Sequence, residues 1–497
     1  ARPVAPPAPA PVVAAPAASA PAPTAATTAA AVARPLQRVV DSIAASATFA
    51  NAHWGVLVVD AATGDTLAAR NAGTLFMPAS NQKLVTAALA LASLDASHRW
   101  RTTLAATGPV TSGMLRGDLV VIGRGDPTWS AAADWPDAMA PLLALADSLR
   151  VRGITRIEGR VRLDASAFPG ASVGYGWDWD DLAEPYGAGV GAQTWNDGMV
   201  SFTVVPCARA VPCVTTRPAA TVPRVVAGHA VAGERQPRGA FRWWRDSSPD
   251  FTVRTAGVVG AADTVTVALA QRDANEAWTA AFREALAARG VRVLGKGDGR
   301  AAVRDTLLAW HSRLTLAEAL GPMLKPSQNQ WAEAIWRTVA LERTGVGSED
   351  SARVVTERWL RAIGVPDTWH AVRDGSGLSR HDYLTPALLV AVLRHARTQP
   401  WWATLVDALP AAGRDGTLEQ RMRGTPLEGT VRAKTGTVDK ARNLSGTMRT
   451  ADGRELLFAI LANNFSVPSR EVDRAAETIL RRAHDGAGTG VAAGGVR

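Results

Sequence analysis

The chain has 497 residues, 47% of them hydrophobic and 20% charged. That is a globular composition and too long for one ordinary core, so two or more domains are expected. The net charge of +9 and pI of about 10.3 fit an anionic partner. Nucleic acid is a poor candidate, because the arginines are spread along the chain with no sustained basic run and no zinc-finger spacing. No H-E-x-x-H, C-x-x-C or histidine cluster appears, so neither a metal nor another cofactor is expected.

Residues 1–36 are almost entirely Ala, Pro, Val and Thr. Proline is too dense there for a helix, and no apolar run is long enough to span a bilayer. The segment reads as a disordered tether left after removal of a signal peptide, which predicts an exported, periplasmic or extracytoplasmic soluble protein without a transmembrane segment. Cys207 and Cys213 form a small disulfide if the chain is exported, or remain two reduced thiols.

Order is expected from 37. Residues 53–70 contain two strand-like runs around Thr-Gly-Asp, a β-hairpin. "FMPASNQKLVTAALAL" (76–91) turns from a loop into a helix. Residues 101–305 change character: short strand-like runs between Gly, Pro and Asp turns, a Trp-rich loop at 174–192 and one helix near 276–290. They read as inserted β-rich domains, one nested in the other. Helices dominate from 314 to 410. Strand candidates follow at 429–438, 443–450 and 455–465, the last two joined by Ala-Asp-Gly, and then a final amphipathic helix. The expected organisation is a first part at 37–100, the insertion at 101–305, a second part at 306–485 and a flexible tail at 486–497. The two parts form one α/β layer structure, an antiparallel sheet flanked by helices.

Lysine is the informative residue. Of 54 cationic side chains only five are Lys: Lys83, Lys296, Lys325, Lys434 and Lys440. Arg cannot release its proton in a protein, whereas a desolvated Lys can. Lys83 follows Ser80 at i+3, one helical turn away. A serine hydroxyl needs a base, and a neutral lysine can serve. An N–H at a helix start has no intrahelical acceptor and can meet a developing oxyanion.

A second element, "KPSQNQ", places Ser327 and Asn329 on a loop between helices. A hydroxyl there can pass a proton, and an amide can hold both Lys83 and a substrate carbonyl. A third, "RAKTGTV", places Lys434, Thr435, Gly436 and Thr437 in a strand. Lys434 and Thr435 can bind a carboxylate, and the Thr437 N–H can be a second oxyanion donor. Gly436 permits close approach of another backbone, which suits a substrate strand. Taken singly, these motifs read as an N-cap serine with a surface lysine, turn chemistry and an exposed strand lysine. Together, in this order and each on the element its role requires, they read as an acylating serine centre.

The triplet resembles the penicillin-binding protein and serine β-lactamase superfamily. The long stretch between the first two motifs is similar to the class C low-molecular-mass penicillin-binding proteins, the D-alanyl-D-alanine carboxypeptidase/endopeptidase family. "GRGDPT" (123–128), "LDASAF" (163–168), "WDWDD" (177–181), "DGSGLSR" (374–380) and "LPAAGRDGTL" (409–418) match that family's habits. Departures are Gln328 inside S-x-N, Arg124 for the usual Gly and His381 for the usual Asn.

The resemblance implies a transpeptidase-like domain with inserted domains. It implies cleavage of terminal D-Ala from peptidoglycan stem peptides and of D-Ala–diamino acid cross-links, with acylation by β-lactams. It also implies a role for Asp164 at the amino end of the diamino acid; a turn-capping Asp is the competing reading. Two other functions stand as alternatives, a serine β-lactamase and a non-catalytic penicillin-sensing or wall-binding protein. The chain lacks an E-x-x-N motif to hold a deacylating water, and its motif residues are intact. Oligomeric state is not legible.

Overall fold

The structure, a computed structural model, describes residues 30–205, 213–217, 225–226, 230–233, 241–245, 252–260, 264–271, 273–296 and 299–486. At its centre lies a five-stranded antiparallel sheet. Its strands are β1 (His53–Asp60), β2 (Thr66–Arg70), β3 (Val431–Val438), β4 (Ala441–Arg449) and β5 (Glu455–Asn463), in the order β2-β1-β5-β4-β3. The N-terminal hairpin and the last three strands thus share one sheet, as the sequence predicts. β1 pairs with β5 from His53↔Asn463 to Asp60↔Leu456.

β5 is apolar at almost every position because both faces of the sheet are covered. Alternate residues go to opposite sides. Leu457, Ala459 and Leu461 pack against α2 (Gln82–Ser93), α3 (Leu316–Leu324), α4 (Asn329–Thr344) and α5 (Pro386–Arg397). Leu456, Phe458, Ile460 and Ala462 face α1 (Ala30–Ala44) and α6 (Ser469–Gly486).

The tether expected over 1–36 therefore ends earlier: α1 begins at Ala30 despite Pro35. Leu36 and Val40, one turn apart, are buried under the sheet, and this packing outweighs the low helix propensity.

β3 is the edge strand next to the site. Its first half is covered, since Ala433 N–H donates to Pro410 O and Ala412 N–H to Val431 O, both at 3.0 Å. Strand period two gives Thr435 and Thr437 the same outward-facing backbone as Ala433. This is the edge beside the nucleophile.

Within the insertion, Asp305–His311, Arg101–Ala106, Leu119–Ile122 and Val161–Asp164 form one sheet in that order. Pairing of 305–311 with 101–106 carries this layer to His311, past 305. Two helices pack on it, not one. Ala274–Ala288 was legible; Ala140–Val151 buries Leu142, Leu145, Ala146 and Leu149 at helical spacing. A separate small core of Val200, Phe202, Val204, Val259 and Leu269 lies between those chain segments. Cys213 opens the strand Cys213–Arg217 and is disulfide-bonded; Cys207 lies outside the described residues.

No helix among the described residues is long and apolar enough to cross a membrane.

Candidate active site

The first motif sits on a turn stapled to the sheet. Met77 N–H donates to Asn463 Oδ1 at 2.8 Å, and Asn443 Nδ2 donates to Pro78 O at 2.8 Å. Ala79, fully buried, is forced to φ +45°, a region costly for a residue with a Cβ. Ser80 lies in a 3₁₀ turn (Ala79–Asn81), and α2 starts two residues later than the sequence suggests. Ser80 and Lys83, at i and i+3 across the junction of this turn with α2, still meet on one face.

Lys83 is fully buried, which removes the surface-lysine reading. Its Nζ is 2.9 Å from Ser80 Oγ, 2.6 Å from Asn329 Oδ1 and 2.8 Å from Ser376 O. Burial pushes its pKa down to about 7, against the nearby acids Asp374, Glu333 and Asp382. A neutral amine has two N–H groups and one lone pair. Asn329 Oδ1 and Ser376 O can only accept, so they take both N–H groups. The lone pair then faces Ser80, whose hydroxyl donates to it.

The second motif completes this arrangement. Asn329 Nδ2 donates to Tyr186 O at 2.8 Å, which fixes its Oδ1 on Lys83. Ser327 sits at φ +68° between α3 and α4 and lines the same cavity as Ser80 and Asn329.

In the third motif, Lys434 is also fully buried, not exposed on its strand. Its Nζ donates to Thr435 O at 3.0 Å. Burial, and then the charge of Lys83, hold its pKa well below the ordinary lysine value. Repulsion is mutual, so the two ammonium groups oppose each other's protonation. The cavity wall is made instead by Thr435 and Thr437. Gly436 does admit a close backbone, but that backbone is the chain's own. A Cβ there would stand 2.5 Å from Pro78 O. The glycine lets the nucleophile turn dock on β3. Of the five lysines, only these two motif members are fully buried.

Behind Lys83 lie three fully buried acids to which the motifs give no role. Asp374 accepts from Ser376 N–H, Gly377 N–H and Ser379 N–H at 3.1, 2.6 and 2.7 Å. It also accepts from Trp177 Nε1 at 2.9 Å. This folds 374–379 into the loop that offers Ser376 O to Lys83. Glu333 accepts from Gly375 N–H and Ser376 N–H, and burial, helped by Asp374, pushes its pKa up to about 8. Burial and the neighbouring Asp374 raise Asp382 well above the carboxylate range. "DGSGLSR" signalled the first of these; nothing in the sequence signalled Glu333.

The rim comes from the insertion together with Arg380. The cavity, about 720 Å³, is lined by Ser80, Ser327, Asn329, Thr435 and Thr437 on one side and by Asp180, Asp181, Tyr186 and Arg380 on the other. Arg380 pairs with Asp178 at 2.7 Å and Asp181 at 3.4 Å. Gln330 Nε2 holds the same loop through Ala188 O at 3.0 Å.

Asp164 is not brought to this site. It ends the strand Val161–Asp164, and its Oδ1 accepts from Ser166 N–H at 3.0 Å. That is turn capping, the competing reading. The acids that reach the cavity belong to "WDWDD", two turns of chain further on.

Comparison with known proteins agrees with this geometry. The family model described as D-Ala-D-Ala carboxypeptidase 3 (S13) matches residues 36–483. A D-alanyl-D-alanine carboxypeptidase of Actinomadura sp. (strain R39) is 34% identical over 453 residues, covering 87% of this chain and 82% of that protein. Carboxypeptidase DacB of Mycolicibacterium smegmatis is 30% identical over 460 residues, covering 89% and 84%. The crystal structure of penicillin binding protein 4 (dacB) from Haemophilus influenzae shares the fold, with a TM-score of 0.76 at 23% identity over 90% of this chain and 99% of that one. The chain belongs to the D-Ala-D-Ala carboxypeptidase 3 (S13) family of class C low-molecular-mass penicillin-binding proteins.

Proposed function

We propose that the protein is a serine D-Ala-D-Ala carboxypeptidase and D,D-endopeptidase of peptidoglycan that works through an acyl-enzyme on Ser80. The observation that carries this reading is the buried Lys83. Its Nζ lies 2.6 Å from Asn329 Oδ1, 2.8 Å from Ser376 O and 2.9 Å from Ser80 Oγ.

Lys83 takes the Ser80 proton as Oγ attacks the carbonyl carbon of the penultimate D-Ala. Negative charge moves to the carbonyl oxygen, between the Ser80 N–H at the first turn and the outward Thr437 N–H on the open edge of β3. The proton passes from Lys83 through Ser327 to the leaving nitrogen, and the C–N bond breaks. Water then repeats the cycle on the ester and restores Ser80. Thr437, on the wall it shares with Thr435, receives the carboxylate of the leaving residue. Lys434 serves from behind, its Nζ holding the Thr435 carbonyl, and Gly436 keeps the strand against the nucleophile turn.

The rim suits a zwitterionic amino-acid end. Asp180 and Asp181 offer charge for an ammonium, and Arg380 for a carboxylate. This supports action on stem peptides and cross-links that carry a diamino acid, and acylation by β-lactams. The same reading divides the chain into a catalytic domain at 37–100 and 306–485 and nested inserted domains at 101–305, in an exported protein.

Product analysis by mass spectrometry on purified monomeric and cross-linked muropeptides tests the reading. Release of D-Ala and cleavage of dimers, with a penicillin adduct on Ser80, is the expected result. An adduct on any other residue overturns it. Rapid turnover of a chromogenic cephalosporin without D-Ala release would make the protein a β-lactamase instead.

A further inference from the structure

One charged network touches the substrate strand without taking part in the steps above. Thr437 stands opposite Arg442 across the β3–β4 hairpin, and Arg442 Nη1 donates to Thr437 Oγ1. The rest of the guanidinium is clamped. Its Nε and Nη2 donate to the two oxygens of Asp473 on α6, at 2.9 and 2.7 Å. Asp473 also pairs with Arg421 at 2.9 Å, and Arg421 Nε donates to Glu477 at 2.8 Å. Arg442, Asp473 and Arg421 are only 22%, 17% and 13% exposed. A bidentate, partly buried network of this kind holds a side chain in one place, unlike an isolated surface pair. Arg442 does not line the cavity; Thr437 does.

The consequence follows from what a hydroxyl can do. It has one hydrogen to give and two lone pairs to receive with. A guanidinium never accepts, so against Arg442 the Thr437 oxygen must receive. Its own hydrogen is then left for a partner outside the network. Thr435 differs, because its Oγ1 donates to Thr417 Oγ1 at 2.7 Å and its hydrogen is used within the protein. Of the two hydroxyls on this wall, Thr437 is the one set to donate.

We propose that Arg442, anchored by Asp473, is a positioning residue that fixes Thr437 as a hydrogen-bond donor to the carboxylate of the substrate's leaving residue. It thereby sets the preference for a free C-terminal acid over an amide or ester. This rests on the reading of Ser80 as the acylating centre for D-Ala-D-Ala ends.

The test uses the full chain, as wild type and as Arg442→Met, Arg442→Lys, Thr437→Val and the double variant Arg442→Met/Thr437→Val. Two ratios are read. One is kcat/KM for a peptide ending in D-Ala-D-Ala with a free carboxylate against its C-terminal amide. The other is the acylation rate with a penicillin against its methyl ester. Loss of one charge-assisted contact lowers the acid preference roughly tenfold or more in Arg442→Met and in Thr437→Val. The loss appears mainly in KM for the acid. The double variant loses no more than either single change, because both remove one contact. Arg442→Lys restores part of the preference.

Equal losses on acid and amide, or additive losses in the double variant, would reduce Arg442 to a structural residue. Thr437→Val leaves the Asp473 network intact, so it decides the matter if Arg442→Met folds poorly. If the wild type releases no D-Ala while its acid-over-ester preference in acylation collapses in the variants, the carboxypeptidase reading fails and the role of Arg442 stands. D-Ala release with an unchanged preference in the variants overturns Arg442 alone.

Discussion

The two walls of the cavity are built in opposite ways. On the catalytic side the ionisable groups lie behind the surface. Lys83, Lys434, Glu333, Asp374 and Asp382 are all fully buried, and the motif groups that reach the cavity are hydroxyls and an amide, with Asp439 and Lys440 of the β3–β4 turn also in its lining. On the facing side charges themselves reach the cavity: Asp180 of the insertion is exposed, and the buried Asp181 pairs with Arg380 from the second part of the catalytic domain. Each design fits its task. A base must lose its proton near neutral pH, and burial is the means of moving a lysine that far. A recognition charge must keep its charge, and exposure to water does that for Asp180. The shared boundary includes Asn329 to Tyr186 O, Asp374 to Trp177, Gln330 to Ala188 O and the Arg380 ion pairs. The rim is therefore attached directly to groups that hold the base.

The sharpest way to break the contrast is at Lys83. Lys83→Arg keeps a cation but cannot take the Ser80 proton. Acylation by fluorescent penicillin should fall by about 10²- to 10⁴-fold, the range of general-base catalysis. Ser80→Ala should abolish labelling. A near-wild-type rate in Lys83→Arg would remove Lys83 as the base and leave burial on this side without a purpose.

The next effect is one of pH. Lys83 must be neutral to act, and burial places its pKa at about 7. Below that value the amine is protonated, so the acylation rate should fall roughly tenfold per pH unit on the acid side. It should level off as pH rises above 7. Asp374 is the largest of the charges that raise this pKa. Asp374→Asn should move the acid limb to lower pH, whatever it does to the maximal rate. Rate–pH profiles of the two proteins decide this; a limb in the variant at the wild-type position would uncouple Asp374 from the base.

The same contrast explains what was legible. The sheet could be read because β5 is apolar throughout and the hairpin signals flank it. The three motifs could be read because their chemistry restricts residue type: Lys can give up its proton where Arg cannot, and only Gly fits against Pro78 O at position 436. Glu333 carried no signal, since a glutamate in the first turns of a helix reads as solvated until the fold buries it. The outward role of Thr435 and Thr437, with Lys434 behind, depends on which edge of β3 is open, a tertiary fact. The sequence does not separate a strand-end Asp such as Asp164 from a ligand Asp, because the two look alike. The presence of Asp180 in the cavity lining depends on the path of the 174–188 loop, a tertiary fact.

Because Asp180 is exposed, its individual effect should be small. Asp180→Asn should cost about two- to fivefold in kcat/KM on substrates with a free ammonium on the diamino acid, the scale of an exposed ion pair. It should cost little on penicillin or on a short D-Ala-D-Ala peptide without that group. A loss as large on penicillin would mean that Asp180 acts on the base side, and the division between the two walls would not hold.

Asp164 gives the smallest expected effect. Its carboxylate caps a turn by accepting from Ser166 N–H, and it is absent from the cavity lining. Asn can accept the same N–H through its Oδ1, so Asp164→Asn keeps the turn bond and removes only a charge. Stability should change by no more than about 0.5 kcal/mol, the usual range for a change of this kind. The kcat/KM values for cross-linked muropeptide, short peptide and penicillin should all stay within about twofold of wild type. A selective loss on the cross-linked substrate would reopen the case for Asp164. It would also require the substrate to extend past the rim to the end of the Val161–Asp164 strand, making the insertion a second recognition surface beyond the wall that Asp180, Asp181 and Arg380 provide.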